Sequence, residues 1–297
     1  MTFKFLQPSK KEAKRVIILG STGIISKNLQ KKLKKKSIIF FSIGRSNLNL
    51  KKHNANKILG KKFKNGDVVV FIAAETPCKN ITMFFNNITI CQTVCDSLKN
   101  KNISQLIYIS SDAVYSDIKG KISETYKTMP VSLHGLMHLF REKILIEKFN
   151  KVLCILRPTL IYGPDDTHLG YGPNKFIQLA LKNENIKIFG NGEEKRDHLY
   201  INDLTNIIFK CITKRSTGIL NVASGEVYSF RYLAEQIIKI INSKSKIVRL
   251  KRMGAMPHNG YRPFNIKLIH KNFKDIKKNQ LNLNLENYIN LFSNNEN

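Results

Sequence analysis

Short apolar runs alternate with amphipathic stretches along the first half of the chain. Five runs have the length and β-branched composition of buried strands: Val16–Leu19, Ile38–Ile43, Val68–Ala73, Leu106–Ser110 and Val152–Leu156. Apolar residues at helical spacing predict three helices between them, over about Gly23–Lys36, Met83–Asn100 and Leu136–Phe149. Apolar strands separated by such helices indicate a parallel sheet covered on both faces. Because crossovers between parallel strands are right-handed, we predict an α/β fold with a doubly wound sheet.

The pattern changes after Pro158. Residues 163–174 are rich in Gly, Pro and Asp, which is typical of a long functional loop. Three helices are predicted beyond it, at Lys175–Lys182, Asp203–Ile212 and Phe230–Ile241, with short strands at Ile186–Phe189, Gly218–Val222 and Ile247–Leu250. We therefore expect a sheet domain over residues 1–162 and a smaller interleaved lobe over 163–297, of which about 198–223 returns to the sheet.

The composition supports a large core and shows a strong positive charge. The chain has 297 residues, is 42% hydrophobic and carries a formal net charge of +29. Residues 1–66 alone contain 18 Lys or Arg and one acid, a charge that would attract nucleotides, RNA or anionic lipid. Lys is frequent throughout and is not interleaved with aromatics, so we interpret the charge as compositional bias and expect no nucleic-acid partner. The longest apolar run, Val68–Ala74, is too short to span a bilayer, and we expect no membrane association.

The cysteines indicate a reducing environment. The chain has five, with no CxxC pair, and Cys91 and Cys95 stand four residues apart in a predicted helix. This pattern favours buried, reduced thiols in a cytoplasmic protein over a disulfide scaffold or a zinc site.

A glycine-rich turn separates the first predicted strand from the first predicted helix. Gly20 permits a tight turn, and Gly23 lets a pyrophosphate approach the backbone N–H groups at the start of the helix. Ser26 replaces the third glycine of this motif and is still small enough for close packing. The turn therefore predicts a dinucleotide site of Rossmann type, with Gly20, Thr22, Gly23 and Ile24 as candidate cofactor contacts.

The end of the second strand bears on the choice of cofactor. In such folds an acid there binds the 2′-hydroxyl of the adenosine ribose, whereas this chain has Arg45. An Arg suits a 2′-phosphate, so Arg45 favours NADP over NAD, although Arg45 is also explained as one more surface cation in a basic chain.

Six further segments occur in a recognisable order: Phe71–Ala74, Ile109–Tyr115, Leu156–Pro164, Phe189–Asp197, Asn221–Gly225 and Tyr261–Asn265. With the glycine turn, their order and spacing resemble the extended short-chain dehydrogenase/reductases, the NAD-dependent nucleotide-sugar epimerase and dehydratase family, over about Arg15 to Phe292. The resemblance implies NAD(P) bound by residues 1–162 and a nucleotide-diphosphate sugar bound mainly by 163–297, with hydride transfer at the sugar ring. It also implies cofactor contacts from Ala73, Ala74, Ser110 and Pro158.

The resemblance assigns catalytic positions, of which two are altered. Ser111 corresponds to the family hydroxyl that binds the reacting sugar oxygen, and Asp112 stands where dehydratases have an acid. Dehydratases follow that acid with Glu, whereas Ala113 follows here, which weakens the dehydratase interpretation. The family Tyr and Lys of the next helix are replaced by His134 and His138.

The two histidines leave two interpretations open. Their i, i+4 spacing places both rings on one helix face. Because His titrates near pH 6.5, His134 could act as an acid or base, and His138 could hydrogen-bond the nicotinamide ribose without supplying a permanent charge. Alternatively, the catalytic pair has been lost and the fold survives as a binder. Nothing nearby completes a third metal ligand, so no metal is expected, and Glu142 is expected to cap or pair on the helix.

A second Tyr–Lys pair has the right spacing but the wrong context. Tyr115 and Lys119 match Y-x-x-x-K, yet Tyr115 belongs to the turn after the preceding strand. We therefore predict that Tyr115 is not catalytic.

The resemblance also implies substrate contacts. Asn174 matches an Asn that contacts the nucleotide diphosphate, and Arg196 and Arg262 match two Arg residues that bind the pyrophosphate. His168 and Tyr171 lie in the loop expected over the sugar. One departure weakens cofactor binding, since residues 51–65 lack the Asp that usually meets the adenine amine.

Three functions follow, in order of preference. The first is an NAD(P)-dependent epimerase or reductase of a nucleotide sugar. The second is a non-catalytic binder of NAD(P) or a nucleotide sugar. The third is an RNA-binding relative of the fold, ranked last because it leaves Asn174, Arg196 and Arg262 unexplained. The resemblance further implies a homodimer formed through the helices at 83–100 and 136–149.

Overall fold

The computed structural model describes residues 1–7, 13–117, 120–166, 170–274 and 280–293. The chain divides into two compact units. The first contains Met1–Ser116, Glu124–Pro158 and Leu204–Val222, and the second contains Asp117–Ser123, Thr159–Asp203 and Ala223–Asn297.

The elements are numbered in chain order. The described strands are β1 (Lys4–Phe5), β2 (Val16–Leu19), β3 (Phe40–Ile43), β4 (Val68–Phe71), β5 (Gln105–Ile109), β6 (Leu153–Pro158), β7 (Leu160–Tyr162), β8 (Ile186–Phe189), β9 (Lys195–Tyr200), β10 (Ser216–Val222), β11 (Val227–Ser229), β12 (Ile247–Leu250) and β13 (Tyr261–Arg262). The described helices are α1 (Ile24–Lys35), α2 (Ala55–Lys62), α3 (Ile81–Leu98), α4 (Leu133–Phe149), α5 (Pro173–Leu181), α6 (Ile201–Lys214), α7 (Phe230–Ile241), α8 (Lys267–Asn272) and α9 (Leu281–Ser293). Short 3₁₀ turns occupy Asp112–Val114 and Pro257–Gly260.

Seven of the described strands form the sheet of the first unit, in the order β1-β10-β6-β5-β4-β2-β3. All neighbours are parallel except β1, which runs antiparallel to β10. Every residue of β2 and β4 is buried, because helices cover both faces of the sheet. The predicted doubly wound α/β fold is thereby confirmed.

The strand order reverses between β2 and β4. From β2 the chain passes to the edge strand β3 and then returns to β4 on the other side of β2. The connections that follow β2 and β4 therefore diverge, leaving a crevice at the carboxyl ends of these strands. Ligands of open α/β sheets bind at such switch points.

The hydrophobic pattern located most elements of this sheet. Strand β2 has the predicted bounds, and β3, β4, β5 and β6 lie within two residues of theirs. Strand β4 ends at Phe71 because the N–H groups of Ile72 and Ala73 both donate to the Leu19 carbonyl. The pattern missed α2, a Lys- and Asn-rich helix that buries only Ala55 and Leu59.

In the second unit, β9 pairs with β7 and β13 in parallel and with β11 in antiparallel orientation. Strands β8 and β12 form a separate parallel pair. Here β8, β12 and α7 have their predicted bounds. Within the described ranges of the chain, no helix is both long and apolar enough to cross a membrane.

Candidate active site

The turn after β2 is built around Gly20. Its φ is +100°, and a Cβ at this position would lie 2.8 Å from the Ala73 nitrogen. Its N–H donates to the Ile43 carbonyl at 2.8 Å, which ties the turn to β3. Both the left-handed backbone and the contact with β4 require glycine here.

The start of α1 is open to an anion. The cap residue Gly23 provides no side-chain hydrogen bond, and the first turn contains no acid. A Cβ at Gly23 would meet nothing within 4 Å, and Thr22 is exposed. The helix dipole and the N–H groups of the first turn therefore favour a phosphate at this end. Because the opening lies at the switch point, the residues fit the pyrophosphate of a dinucleotide.

The cation expected at the adenosine ribose is paired within the protein. Arg45 is 70% exposed, and its Nη2 lies 3.3 Å from Glu75 Oε1, the same oxygen that accepts from Lys51 Nζ at 2.7 Å. Burial acts to raise the pKa of Glu75, but the hydrogen bonds from Lys51 and Asn86 outweigh it and hold the pKa below its usual value. Two cations, Arg45 from the turn after β3 and Lys51, therefore surround the single carboxylate of Glu75.

Two serines and an aspartate follow β5. Ser110 is buried and donates its hydroxyl to Glu142 Oε1 at 2.6 Å, so this hydroxyl is engaged within the protein. Ser111 caps the 3₁₀ turn by accepting from the Ala113 N–H at 3.1 Å, and its Oγ lies 3.4 Å from Asp112 Oδ1. Because β5 neighbours β4, these groups stand at the same edge of the sheet as Ala73 and Ala74, which are partly exposed.

The position of α4 depends on Gly135. A Cβ there would lie 2.0 Å from the Ala113 carbonyl oxygen, so glycine allows the first turn of α4 to pack on the turn after β5. Ser132 caps the helix by accepting from the Gly135 N–H at 3.1 Å. This contact brings His134 close enough to Asp112 for their charges to interact.

The two histidines of α4 form a contact pair, called here the histidine pair. Their ring centroids are 4.7 Å apart and the rings are nearly perpendicular. His134 Nδ1 accepts from the Cys78 backbone N–H at 3.3 Å, which requires the neutral ring to carry its proton on Nε2. His138 is buried, and its Nδ1 lies 2.7 Å from the Tyr108 hydroxyl.

Burial keeps both rings neutral. It lowers the pKa of His134, against the opposing charge of Asp112. It lowers the pKa of His138 further, with added repulsion from His134 and Arg141. The histidine pair therefore offers neutral hydrogen-bonding groups near neutral pH.

The structure corrects the expectation for Glu142. It does not cap or pair on its own helix; its carboxylate binds Arg157 of β6 through two bonds of 2.9 and 2.5 Å. Arg157 also donates to the Tyr115 hydroxyl, which donates to Asn221 of β10, each at 2.7 Å. Tyr115 is buried directly after the 3₁₀ turn, which confirms that it belongs to this turn and not to a helix. Pro158, at the end of β6, is buried.

The second unit brings the two predicted arginines together. Arg262 of β13 and Arg196 of β9 are direct partners in the parallel register. Arg196 Nη1 lies 3.2 Å from Glu194, and the buried Arg262 donates to Asp117 at 3.1 Å beside His258. These two guanidinium groups form a candidate diphosphate site.

Asn174 does not join that pair in the structure. Asn174 is buried at the start of α5, accepting from the Gly163 N–H at 2.9 Å and donating to Asp166 at 2.5 Å. Both polar atoms of its amide are therefore engaged within the unit. His168 lies outside the described residues.

A cavity of about 730 Å³ lies in the second unit, lined by three aromatic residues, two Leu and five polar or charged residues. Its wall includes Tyr171, whose ring centroid lies 5.1 Å from that of Phe189. Arg252 connects this wall to the arginine pair, since it donates to the Phe189 carbonyl at 3.4 Å and lies 3.6 Å from Glu194. A planar base in the cavity would thus be close to the groups that contact Arg196.

Three features of the site were not predicted from the sequence. Tyr108 is one hydroxyl within a buried apolar strand, and Arg141 follows His138 by three residues on α4. The i, i+3 spacing from His138 places Arg141 on the same face of α4 as His138. Its burial, however, results from packing against the sheet, which the local sequence does not show. The sequence contained no indication of the role of Glu75, because its partners Arg45 and Lys51 lie in the segment after β3, whereas Glu75 follows β4.

The described residues contain no cluster of three or more His, Cys, Asp or Glu able to hold a metal ion. All five cysteines are buried and free.

Comparisons with known proteins agree on the family. The chain is 24% identical over 278 residues to an uncharacterised UDP-glucose epimerase of Bacillus subtilis, covering 82% of this chain and 88% of the relative. It is 25% identical over 286 residues to UDP-N-acetyl-alpha-D-glucosaminuronate decarboxylase of Bacillus cytotoxicus, covering 82% and 86%.

Solved structures share the fold. UDP-glucose 4-epimerase of Thermotoga maritima, solved with UDP-glucose, superposes with a TM-score of 0.82 at 17% identity, covering 95% of this chain and all of that one. UDP-glucuronic acid 4-epimerase of Bacillus cereus, solved with UDP-glucuronic acid and NAD, gives 0.79 at 20% identity, covering 94% and 99%. Residues 16–223 match the NAD dependent epimerase/dehydratase family. With this match, the glycine turn and the switch point, the chain belongs to the NAD-dependent epimerase/dehydratase family.

Proposed function

We propose that this protein is an enzyme that uses NAD(P) to modify a nucleotide-diphosphate sugar by hydride transfer at the sugar ring. One observation carries the proposal: the anion-binding turn after β2 and the Ser111–His134 group after β5 stand at one edge of one sheet, on either side of β4. A cofactor held at the turn would extend towards groups able to bind a sugar oxygen.

Gly20, Gly23 and the first turn of α1 would hold the pyrophosphate of the cofactor. When bound, the cofactor supplies the acceptor and donor of the hydride. We propose a preference for NADP, because Arg45 and Lys51 provide two cations against the single carboxylate of Glu75. A 2′-phosphate would compete with Glu75 for these groups.

We propose that the substrate is a nucleoside diphosphate sugar. The register pair Arg196 and Arg262 matches a diphosphate, and the cavity beside Tyr171 matches a planar base. Two structural neighbours were solved with UDP-glucose and UDP-glucuronic acid, which supports this substrate class.

The hydrogen bonds of His134 indicate which state of the sugar oxygen this ring would bind. Because Nδ1 accepts from Cys78 N–H, Nε2 carries the proton and can donate to a sugar oxygen. Such a donor stabilises the negative charge that develops on the carbonyl oxygen as the hydride arrives. Because a neutral imidazole does not release its Nε2 proton, the proton that completes the hydroxyl group would come from water. An epimerase begins by removing the proton of a sugar hydroxyl, which a protonated Nε2 cannot accept, so we favour a reductase over an epimerase. Ser111 would be a second hydrogen-bonding contact to the sugar oxygen, and the charge of Asp112 raises the pKa of His134.

A second candidate, the non-catalytic binder, also has support. His134 and His138 both have Nδ1 engaged, and His138 is buried. His134 cannot accept a proton at Nδ1 without losing its hydrogen bond from the Cys78 N–H, which disfavours a proton relay through this ring.

The test separates these functions. Purified protein is denatured and any released nucleotide identified by mass spectrometry, and NADPH oxidation is then followed with 4-keto and 4-hydroxy nucleotide sugars. The enzyme proposal predicts turnover with a keto sugar, abolished in His134→Phe. The His134→Tyr/His138→Lys variant restores the Tyr and Lys that the resemblance expects. If both this variant and the wild type bind the nucleotide or the nucleotide sugar without oxidising NADPH, the binder would be favoured.

We also propose a homodimer through α3 and α4. Exposed apolar side chains line both helices, among them Ile81, Phe85, Leu136 and Phe140. Phe84 of α3 packs edge-on against Phe140 of α4, so the exposed groups form one surface. Light scattering should give twice the chain mass, and Phe85→Glu/Phe140→Glu should give a monomer; a wild-type monomer would contradict the dimer.

The five buried free thiols support a reducing compartment such as the cytoplasm as the place of action.

A further inference from the structure

A positive charge lies buried beneath the histidine pair. Arg141 is 0% exposed and comes three residues after His138 on α4. Its guanidinium carbon lies 4.3 Å from the ring centroid of Phe71 and 5.1 Å from that of Tyr108. Its Nη2 donates to the Ala73 carbonyl at 2.9 Å, at the carboxyl end of β4. The guanidinium is therefore fixed against two neighbouring strands, β4 and β5.

Arg141 forms no ion pair with an Asp or Glu in the part of the chain that the structure describes. Its remaining neighbours include Met137 Sδ, 3.9 Å from Nη1, while its buried Nε has no hydrogen-bond partner among the described residues. A hydrogen bond with Cys95 and, after it, the charge of Arg141 act to lower the pKa of the buried Cys91 thiol, while burial acts to raise it. The aromatic faces, a carbonyl and sulfur atoms compensate the cation only in part, so its field extends to its neighbours.

The neighbour that connects Arg141 to the site is Tyr108. The guanidinium lies over the ring face of Tyr108, whose hydroxyl is 2.7 Å from His138 Nδ1. A cation on the ring face polarises the phenol and strengthens it as a hydrogen-bond donor. The same charge disfavours a protonated His138.

We propose that Arg141 is a positioning residue for the histidine pair: acting through Tyr108, it makes the Tyr108 hydroxyl the donor to His138 Nδ1 and fixes the His138 proton on Nε2. His134 is fixed in the same way by the Cys78 N–H. The pair then consists of two neutral rings that each carry Nε2–H. The use of these donors toward a sugar or a cofactor ribose rests on the proposed function, whereas their tautomeric state does not.

The other groups around His138 also favour its neutral form. Burial is the largest cause of its lowered pKa, followed by His134 on the same helix and by Arg141. From β5, Tyr108 is held protonated because burial raises its pKa. Asp112, in the turn after β5, raises the pKa of His134, but it is not among the groups that perturb His138. No acidic group therefore offsets the effect of the Arg141 charge on the pKa of His138.

The test is a ring-nitrogen NMR measurement on the ligand-free full chain. Protein labelled with ¹⁵N-histidine is titrated from pH 8 to 5.5, and His138 is assigned from the His138→Asn spectrum. We expect wild-type His138 to stay neutral with Nε2–H throughout. In Arg141→Met, the loss of the repelling charge should move the midpoint of the His138 titration upward, so that the protonated ring is detected at a higher pH than in the wild type. Arg141→Lys, which keeps the charge, should resemble the wild type.

A second variant covers the case in which Arg141→Met does not fold. Tyr108→Phe keeps the charge and removes the hydroxyl, so His138 should stay neutral but show a mixture of the two tautomers. Identical His138 tautomer and titration in wild type and Arg141→Met, or in wild type and Tyr108→Phe, would overturn the proposal. Since no ligand is present, an absence of turnover would contradict the proposed function and leave this result intact.

Discussion

At the scale of single residues, Gly20 and Gly23 contribute differently to the anion-binding turn. Gly20→Ala would force a side chain onto a backbone with φ +100°, 2.8 Å from the Ala73 nitrogen. We expect it to lower the free energy of unfolding by about 1–3 kcal/mol and to abolish dinucleotide binding. Urea denaturation and calorimetric titration with NADP measure the two effects.

Gly23→Ala is the matched control. Its Cβ meets nothing within 4 Å, so the free energy of unfolding should change by about 1 kcal/mol or less. If a pyrophosphate approaches the backbone at Gly23, affinity should nevertheless fall. If Gly20→Ala and Gly23→Ala lower the free energy of unfolding equally, the close approach of residue 20 to Ala73 does not require glycine.

His198 illustrates a pH dependence that arises from one buried ring. Burial, with the charge of Arg196, lowers its pKa to about 3, against about 6.5 in the unfolded chain. Between these values the unfolded state binds the extra proton. The contribution of His198 to the free energy of unfolding is therefore fully present above pH 6.5. It is lost as the pH falls towards 3, by up to about 1.4 kcal/mol per pH unit.

His198→Leu tests this sign. The variant should lose less stability than the wild type between pH 6 and pH 5, measured by urea denaturation at each pH. His53→Gln, at an exposed position, should keep the wild-type slope. Equal slopes in wild type and His198→Leu would contradict the assignment.

At the scale of elements, the packing of α4 depends on Gly135. Gly→Ala in an open helix stabilises by about 1 kcal/mol, but here the new Cβ would lie 2.0 Å from the Ala113 carbonyl. We expect Gly135→Ala to destabilise by about 1–3 kcal/mol and to displace His134. Gly60→Ala in α2, 3.3 Å from the Ser97 carbonyl, should stay within about 1 kcal/mol of the wild type. Destabilisation by Gly60→Ala alone would contradict this account.

At the scale of the whole molecule, a buried network joins the core elements of the first unit. Glu142 of α4 binds Arg157 of β6 and Ser110 after β5, and Arg157 reaches Asn221 of β10 through Tyr115. Such a network ties several elements into one cooperative structure, because removing one member leaves buried polar groups unpaired.

A double-mutant cycle measures this coupling. Glu142→Gln leaves Arg157 charged and unpaired, so we expect a loss of about 3–5 kcal/mol in the free energy of unfolding. Arg157→Met should have a similar effect. The double variant Glu142→Gln/Arg157→Met should lose clearly less than the two single losses combined, and full additivity would argue against coupling.

The hydrophobic pattern predicted most of the sheet because its strands are buried on both faces. Such strands must be continuously apolar, as Val68–Phe71 is, and the pattern is visible without any knowledge of their neighbours. Helix α2 was missed because it buries little apolar surface, and the pairing of β9 with three short strands carries no local signal.

The sequence alone determined the fold class, the position of the glycine turn and the i, i+4 spacing of His134 and His138, since each depends on residues close together along the chain. The tertiary structure decided what those residues contact. Glu142 pairs with Arg157, Arg45 with Glu75, and Arg141 with the faces of Phe71 and Tyr108. Protonation states and hydrogen-bond directions follow from burial and from partners distant in sequence, so no local pattern could specify them.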